Sequence, residues 1–205
     1  MQSFRVIKPT AALVPYVRHY WVLSDDALAP VSERTLPVGC VQMVFHRGRQ
    51  LFSLTEGRLQ PSSFISGQAF GYSDVESTGM LEMIVVVFQP FAAKAFLHMP
   101  VSEFRGMNVN TEETGDPLLV DLGRRIADMP DRVACIRLIE EFLLSRLYAF
   151  PEYNLKRVST VLEAVNLHPY IRTAQLADVA CLSNKQFGRV FAEYVGCLLY
   201  TSPSP

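Results

Sequence analysis

The first ninety residues alternate short apolar runs with turn-forming residues, which is the pattern of a β-rich unit. Val, Ile, Phe and Tyr fill the runs, and Pro, Gly, Ser and Asp separate them. The runs predict strands at residues 16–23, 40–46, 51–54, 64–66 and 80–89, as in a β-sandwich or small barrel. Residues 83–88 are apolar at every position, which predicts a central strand buried on both faces.

After Gln89 the apolar residues recur at helical spacing. Pro90 is suited to the first position of a helix that contains Phe91, Ala95 and Phe96. Two longer helices are predicted, one after Asp116-Pro117 and one after the break at 129–131. Their apolar faces comprise Leu118, Leu119, Leu122 and Ile126 in the first, and Ile136, Ile139, Leu143, Leu144 and Leu147 in the second. The predicted fold class is therefore α+β, with a β-sandwich or small barrel followed by helices.

A proline and polar residues at 149–154 predict a domain boundary near Pro151, which separates residues 1–150 from residues 151–196. Beyond it three short helices are predicted. The first covers residues 155–167, with Leu155, Val158, Leu162 and Val165 on its apolar face. The second covers 174–180 after an N-cap at Thr173. The third begins with a Ser-x-x-Gln capping box, Ser183 and Gln186, and its inner face comprises Phe187, Val190, Phe191 and Tyr194.

A two-turn helix, a short turn and a longer capped helix are the layout of a helix-turn-helix. The small Ala177 and Ala180 let the two helices cross closely. The outer face of the third helix holds side chains able to contact base edges or phosphates, together with one glycine: Asn184, Lys185, Gln186, Gly188 and Arg189. Any small helical bundle also has a polar outer face, so the pattern alone fits a purely structural role as well.

The charge of the chain does not decide between DNA binding and a purely structural role. The chain has 19 Lys+Arg and 20 Asp+Glu, a formal net charge of −1, so no global basic field indicates nucleic acid. Beyond Pro151 there are five basic and four acidic side chains, a slight excess of the sign that DNA requires. A DNA-binding function must therefore be local to one surface.

Other kinds of chemistry find little support in the sequence. Four cysteines lie far apart and four histidines lack ligand spacing, so neither a metal site nor another cofactor is expected and the thiols should be free. Nucleophile elbows, phosphate loops and paired catalytic carboxylates are missing, and we expect no enzyme. Without a signal peptide or an apolar stretch of ~20 residues, a cytoplasmic protein without a membrane partner is expected.

Residues 173–196 resemble the first helix-turn-helix of AraC/XylS-type transcriptional regulators. The matching positions are Leu176, Ala177, Ser183, Phe187, Arg189, Phe191 and Gly196. Upstream, residues 15–21, 36–45, 65–68 and 88–100 are similar to the N-terminal sensor-like domain of one branch of these regulators. The resemblance implies that the third helix enters the major groove. Gln186 and Arg189 would read bases, and Asn184, Lys185 and Thr173 or Ser183 would lie near phosphates.

The resemblance implies double-stranded promoter or operator DNA as partner, and an N-terminal domain that senses a small-molecule effector or forms a homodimer. Tyr20, Trp21, Phe45 and Phe88 are candidates for lining an effector pocket, or are simply core. The alternative function is a ligand-binding or dimerising sensor without independent DNA binding. Family members carry two helix-turn-helix units and only the first is matched here. We therefore expect residues 197–205 to be a non-native tail and the gene product to be longer.

Overall fold

A computed structural model describes residues 2–97, 99–147 and 153–196, in which ten strands form two sheets accompanied by six helices. The strands are β1 Ser3–Ile7, β2 Val17–Asp25, β3 Ser32–Thr35, β4 Gln42–His46, β5 Leu51–Ser53, β6 Arg58–Leu59, β7 Ser63–Ser66, β8 Ser73–Ser77, β9 Leu81–Phe88 and β10 Asn108–Asn110. The helices are α1 Ala93–Leu97, α2 Pro117–Asp128, α3 Arg132–Leu147, α4 Tyr153–Leu167, α5 Thr173–Val179 and α6 Asn184–Val195. Short 3₁₀ turns cover Val101–Phe104 and Thr111–Thr114.

Both sheets are antiparallel. The larger has the order β1-β2-β9-β4-β7-β10 and the smaller β3-β8-β5-β6. In the larger sheet β9 is an inner strand, since Ile84 pairs with Val22 of β2 on one side and with Phe45 of β4 on the other. Residues 83–88 are all buried. The prediction of a central strand covered on both faces is confirmed.

Alternation along β9 explains why it is apolar throughout, because successive side chains point to opposite faces of a sheet. Met83, Val85 and Val87 belong to a core that also contains Leu51 and Val75 of the smaller sheet. Their neighbours Ile84, Val86 and Phe88 belong to a second core shared with the helices. The protein therefore has three layers, with the larger sheet between the smaller sheet and the helices.

Helices α2 and α3 both begin at carboxylate caps, Asp116 for α2 and Asp131 for α3. The Asp116 side chain accepts hydrogen bonds from the N–H groups of Leu118 and Leu119, both at 3.2 Å, and Pro117 occupies the first position of α2. Arg146 of α3, itself buried, donates to Asp116 at 2.6 Å. Burial raises the pKa of Asp116, but Arg146 and the two N–H groups outweigh it, and the pKa lies below its ordinary value. One carboxylate thus caps α2 and joins it to α3.

The α+β class and the β-sandwich are confirmed, and several details of the prediction need correction. Pro90 lies in a turn, and α1 begins only at Ala93. Leu118 was predicted on the apolar face of α2 but is 61% exposed. The Asp116 cap fixes where the helix begins, and from that start Leu119 faces the core and Leu118 faces solvent. Five strands were not predicted, namely β1, β3, β6, β8 and β10. The predicted boundary near Pro151 and the expected tail at 197–205 lie outside the described residues.

Candidate functional site

Helices α4, α5 and α6 share one set of buried side chains, which is continuous with the core on the helical side of the larger sheet. This set comprises Leu155, Val158 and Val161 of α4, Leu176 and Ala177 of α5, Ala180, and Phe187, Val190, Phe191, Tyr194 and Val195 of α6. The predicted inner face of α6 is confirmed. The predicted apolar face of α4 needs one correction. Leu162 and Val165 are only half-buried, and Val161 is the buried residue that follows Val158. Both alanines, 177 and 180, are nearly inaccessible, which agrees with a close crossing of α5 and α6.

The turn between α5 and α6 spans four residues from Ala180. Cys181 has φ 53°, a left-handed conformation uncommon for a non-glycine residue, and the N–H of Leu182 donates to the carbonyl of Ala177 at 3.0 Å. These features form the turn that connects α5 to α6. At the start of α5 the prediction was off by one residue, because Arg172 occupies the N-cap position and Thr173 is already helical. The Gln175 side chain, which accepts from the N–H of Arg172 at 3.1 Å, makes the cap bond there.

The predicted capping box of α6 is confirmed. The N–H of Gln186 donates to Ser183 Oγ at 3.3 Å, and the N–H of Ser183 donates to Gln186 Oε1 at 3.2 Å. Ser183 Oγ also donates to the same Oε1 at 2.9 Å. The oxygen of the Gln186 amide is thus committed to the start of the helix.

Most of the predicted DNA-contacting residues lie together at the N-terminal end of α6. Ser183, Asn184, Lys185, Gln186 and Arg189 are exposed there. Lys185 and Arg189 are one helical turn apart and therefore share a face. Thr173, half-buried, lies apart from this group at the start of α5. We call Ser183, Asn184, Lys185, Gln186 and Arg189 the α6 surface.

The C-terminal half of α6 contacts the N-terminal unit. Lys94 of α1 forms an ion pair with Glu193 and lies 4.9 Å from the ring centroid of Tyr194. Gly196 ends the helix at φ 85°, and a Cβ there would lie 2.8 Å from Val101 Cγ1. Lys94 was not predicted from the sequence as a functional residue. The feature of the sequence that could have indicated a role for Lys94 is its position as the only charged residue in the apolar stretch 91–97.

A cavity of about 510 Å³ lies between the two sheets. Its walls are alternate residues of facing strands, which are the positions that point inward by the pleat. They include Trp21, Leu23 and Asp25 of β2, Glu33 and Thr35 of β3, Val44 of β4, Phe64 of β7, Val75 and Ser77 of β8, and Leu81, Met83 and Val85 of β9. Of the four aromatic candidates for a pocket, Trp21 lines this cavity, whereas Tyr20, Phe45 and Phe88 belong to the core on the helical side.

Two titratable groups at or near the cavity are shifted by burial. Burial raises the pKa of the Cys40 thiol, which lines the cavity, although Arg18 beside it acts in the opposite direction. Burial lowers the pKa of His46 to about 4, against the effect of its hydrogen bond with Gln60. Both groups are therefore neutral at pH 7.

Within the described residues no three His, Cys, Asp or Glu side chains are placed to hold a metal ion. None of the helices in that part of the chain is long and apolar enough to cross a membrane.

A protein-family model described as "Domain of unknown function (DUF6597)" matches residues 5–110, more than half of the 205 residues. The chain belongs to the DUF6597 family. The DUF6597 match covers both sheets except the first two residues of β1 and ends at Asn110, the last residue of β10. The cavity lies within the match apart from Gln2, and α2 to α6 lie outside it. No curated protein matches the chain.

Solved structures similar to this DUF6597 chain include two of ToxT from Vibrio cholerae and one of CuxR. ToxT of strain O395 bound to (E)-4-(8-methylnaphthalen-1-yl)but-3-enoic acid has 12% identity and TM-score 0.30 over 97% of this chain and 98% of that one. ToxT of strain SCE256 with bound unsaturated fatty acid has 10% identity and TM-score 0.30 over 96% and 93%. The AraC-like transcriptional activator CuxR has 8% identity and TM-score 0.32 over 98% and 83%.

Proposed function

We propose that the chain is a DNA-binding transcriptional regulator of AraC type, in which the α5–α6 helix-turn-helix binds double-stranded DNA and the β-sandwich senses a small molecule. The observation that carries the proposal is the division of α6 into two faces. Its N-terminal half presents the α6 surface to solvent, while Phe187 and Phe191 on the opposite face are buried. A recognition helix needs this combination of a fixed inner face and a free polar end.

In this proposal the N-terminal end of α6 enters the major groove. Arg189 reads a base edge, since a guanidinium can donate two hydrogen bonds to guanine. Lys185, with Asn184, Ser183 and, at the start of α5, Thr173, lies near phosphates, where the positive end of the helix dipole also favours an anion.

Gln186 has a narrower role than its residue type suggests. A glutamine that reads adenine uses both its amide oxygen and its amide nitrogen. Here Oε1 already accepts from Ser183, so Nε2 is the group that Gln186 offers to a base. We therefore expect Gln186 to act as a donor to a base acceptor, and Arg189 to be the main determinant of sequence preference.

Binding through the α6 surface should be sensitive to salt. Log affinity falls with log salt at about −0.9 per phosphate neutralised, so Lys185, the cation placed near a phosphate, gives a slope of about −1. A bidentate Arg189 contact contributes ~1–3 kcal/mol of base discrimination.

A gel-shift series with the full chain tests the proposal. The DNA is the region upstream of its own gene, with a shuffled fragment of the same composition for comparison, from 50 to 200 mM salt. Arg189→Ala should abolish the preference for the upstream fragment, and Lys185→Ala should weaken both fragments alike and reduce the slope by about 1. Arg125→Ala is the matched control, because Arg125 is an exposed arginine on α2.

Two outcomes would contradict the proposal. Equal losses on both fragments for Arg189→Ala would refute its role as a base reader. The absence of any specific, salt-dependent shift would favour the second function, a ligand-binding or dimerising sensor without DNA binding. The cavity supports that second function by itself, since its volume is within the ~300–1,000 Å³ of small-molecule sites.

Sensing would reach DNA binding through the contact between α1 and α6. Lys94 lies 15% exposed between Glu193 and the Tyr194 ring, so a movement of α1 changes contacts on the same helix that carries Arg189. Homodimerisation through the N-terminal unit and a cytoplasmic location stay predictions. Sedimentation equilibrium of the full chain tests the first.

A further inference from the structure

The cavity between the sheets differs from a plain apolar pocket in the charge of its lining. Its walls include the carboxylates Asp25, Glu33 and Glu56, and no Lys, Arg or His is among the described residues that line it. Asp25 faces inward from the larger sheet, in the same row of β2 as Trp21 and Leu23. Glu33 faces inward from the smaller sheet, in the same row of β3 as Thr35.

Asp25 and Glu33 contact no basic side chain in the part of the chain that the structure describes. Asp25 Oδ1 accepts from the N–H of Ala27 at 3.0 Å, and Glu33 Oε1 accepts from Gln2 Nε2 at 3.3 Å. Both partners are uncharged groups. Glu56 differs, because Arg58 donates to it at 2.8 Å.

The other arginines near the rim are engaged elsewhere. Arg34 is held by Asp74 at 2.8 and 3.1 Å and lies over the Tyr72 ring. Arg105 lies 4.6 Å from the centroid of the Phe70 ring. Arg18 lies beside the Cys40 thiol. An anionic ligand would therefore meet uncompensated carboxylates and no inward cation.

We propose that this cavity binds an amphiphilic organic cation with an aromatic or aliphatic body and an ammonium group. The body lies between the sheets against Trp21 and Phe64, and the ammonium lies near Asp25 and Glu33. Trp21 and Asp25 are four residues apart on one strand, roughly 13 Å, which sets the length of the ligand. The two carboxylates attract a cation and repel an anion, so the charge of the ligand decides which molecules bind. The binding itself is inferred from the cavity, and only its role as a regulatory signal rests on the proposed sensing function.

Three probes with one skeleton test the inference: 4-phenylbutylammonium, 4-phenylbutan-1-ol and 4-phenylbutanoate, which carry +1, 0 and −1 at pH 7. Trp21 is the only tryptophan of the chain, so its fluorescence reports occupancy of the cavity directly. The ammonium is expected to bind about tenfold tighter than the alcohol, and the carboxylate more weakly than both.

Substitutions at Asp25 and Glu33 test whether these two carboxylates cause the preference for a cation. Asp25→Asn with Glu33→Gln should bring the affinity for the ammonium down to that for the alcohol and leave the alcohol unchanged. Asparagine keeps the oxygen that accepts from Ala27, and Glu33→Gln alone, on an exposed edge strand, gives a second variant should the pair unfold. Glu76→Gln is the matched control, because Glu76 lies on β8 between the inward positions 75 and 77 and therefore faces outward.

Several results would overturn the inference: equal affinities for the three probes, tightest binding of the carboxylate, no binding of any probe, or a cation preference that survives the double substitution. The proposed function fails differently. It would lose its sensing step if the ammonium binds with the expected preference yet leaves the gel shift unchanged. Conversely, a specific gel shift together with equal affinities for the three probes would overturn the inference about the ligand and leave the proposed DNA-binding function standing.

Discussion

His46 should make the stability of the protein fall as the solution is acidified. The ring is 3% exposed on β4, its Nε2 lies 3.2 Å from Gln60 Oε1, and its centroid lies 6.0 Å from that of Phe64. Burial lowers its pKa from 6.5 to about 4, although the hydrogen bond with Gln60 acts the other way. The folded protein thus holds His46 neutral at pH values where an unfolded chain would protonate it.

The sign and size of the effect follow from this difference. Above pH 6.5 both states bind the same number of protons at His46, and the stabilisation is complete. Between pH 6.5 and 4 only the unfolded state takes up the proton, so folding loses about 1.4 kcal/mol per pH unit. The loss from this one group reaches about 3 kcal/mol near pH 4.

Substitution with a side chain that does not titrate isolates the contribution. His46→Gln keeps an amide able to donate to Gln60, and urea unfolding of both proteins at pH 7, 6, 5 and 4 gives the difference in their unfolding free energies. That difference should shift by about 3 kcal/mol in favour of the variant from pH 7 to 4. His168→Gln, at an exposed position, controls for loss of a histidine. A constant difference between His46→Gln and wild type across this range would refute the reasoning.

Further predictions concern close packing, the buried ion pair and the start of α6. Gly67→Ala should destabilise the protein by about 3 kcal/mol or more in urea unfolding, because the new Cβ would lie 1.6 Å from the carbonyl oxygen of Phe104. Arg146→Ala should cost ~3–5 kcal/mol in the same assay, since it leaves a partly buried Asp116 without its partner; a loss below 1 kcal/mol would contradict this. Ser183→Ala should lower the thermal midpoint by the equivalent of ~1 kcal/mol, as scanning calorimetry can show, and an unchanged midpoint would contradict the role of the cap.

The helix-turn-helix could be predicted from sequence because its information is local. The Ser183–Gln186 capping box and the spacing of Phe187 and Phe191 all lie within one segment, and the structure reproduces them. Thr173 was misplaced by one position because Gln175, and not the residue before the helix, supplies the cap bond.

The cavity could not be predicted in the same way. Its walls come from strands that are distant in sequence, and strands such as β3 and β8 carry few apolar residues. Glu33 on β3 therefore looks like an ordinary surface residue until the pairing of Glu33 with Val75 orients it toward the cavity. For the same reason Trp21 could not be distinguished from Tyr20, its neighbour on the opposite face.

The central strand β9 also has a consequence for how the protein is produced. Residues 83–88 contain no charge, proline or glycine, and such a six-residue segment has the composition of an aggregation-prone strand when it is exposed. In the folded protein β2 and β4 occupy both of its edges. Only Glu82 before it and Gln89-Pro90 after it act as gatekeepers in the nascent chain. Slow synthesis at low temperature should therefore raise the soluble yield.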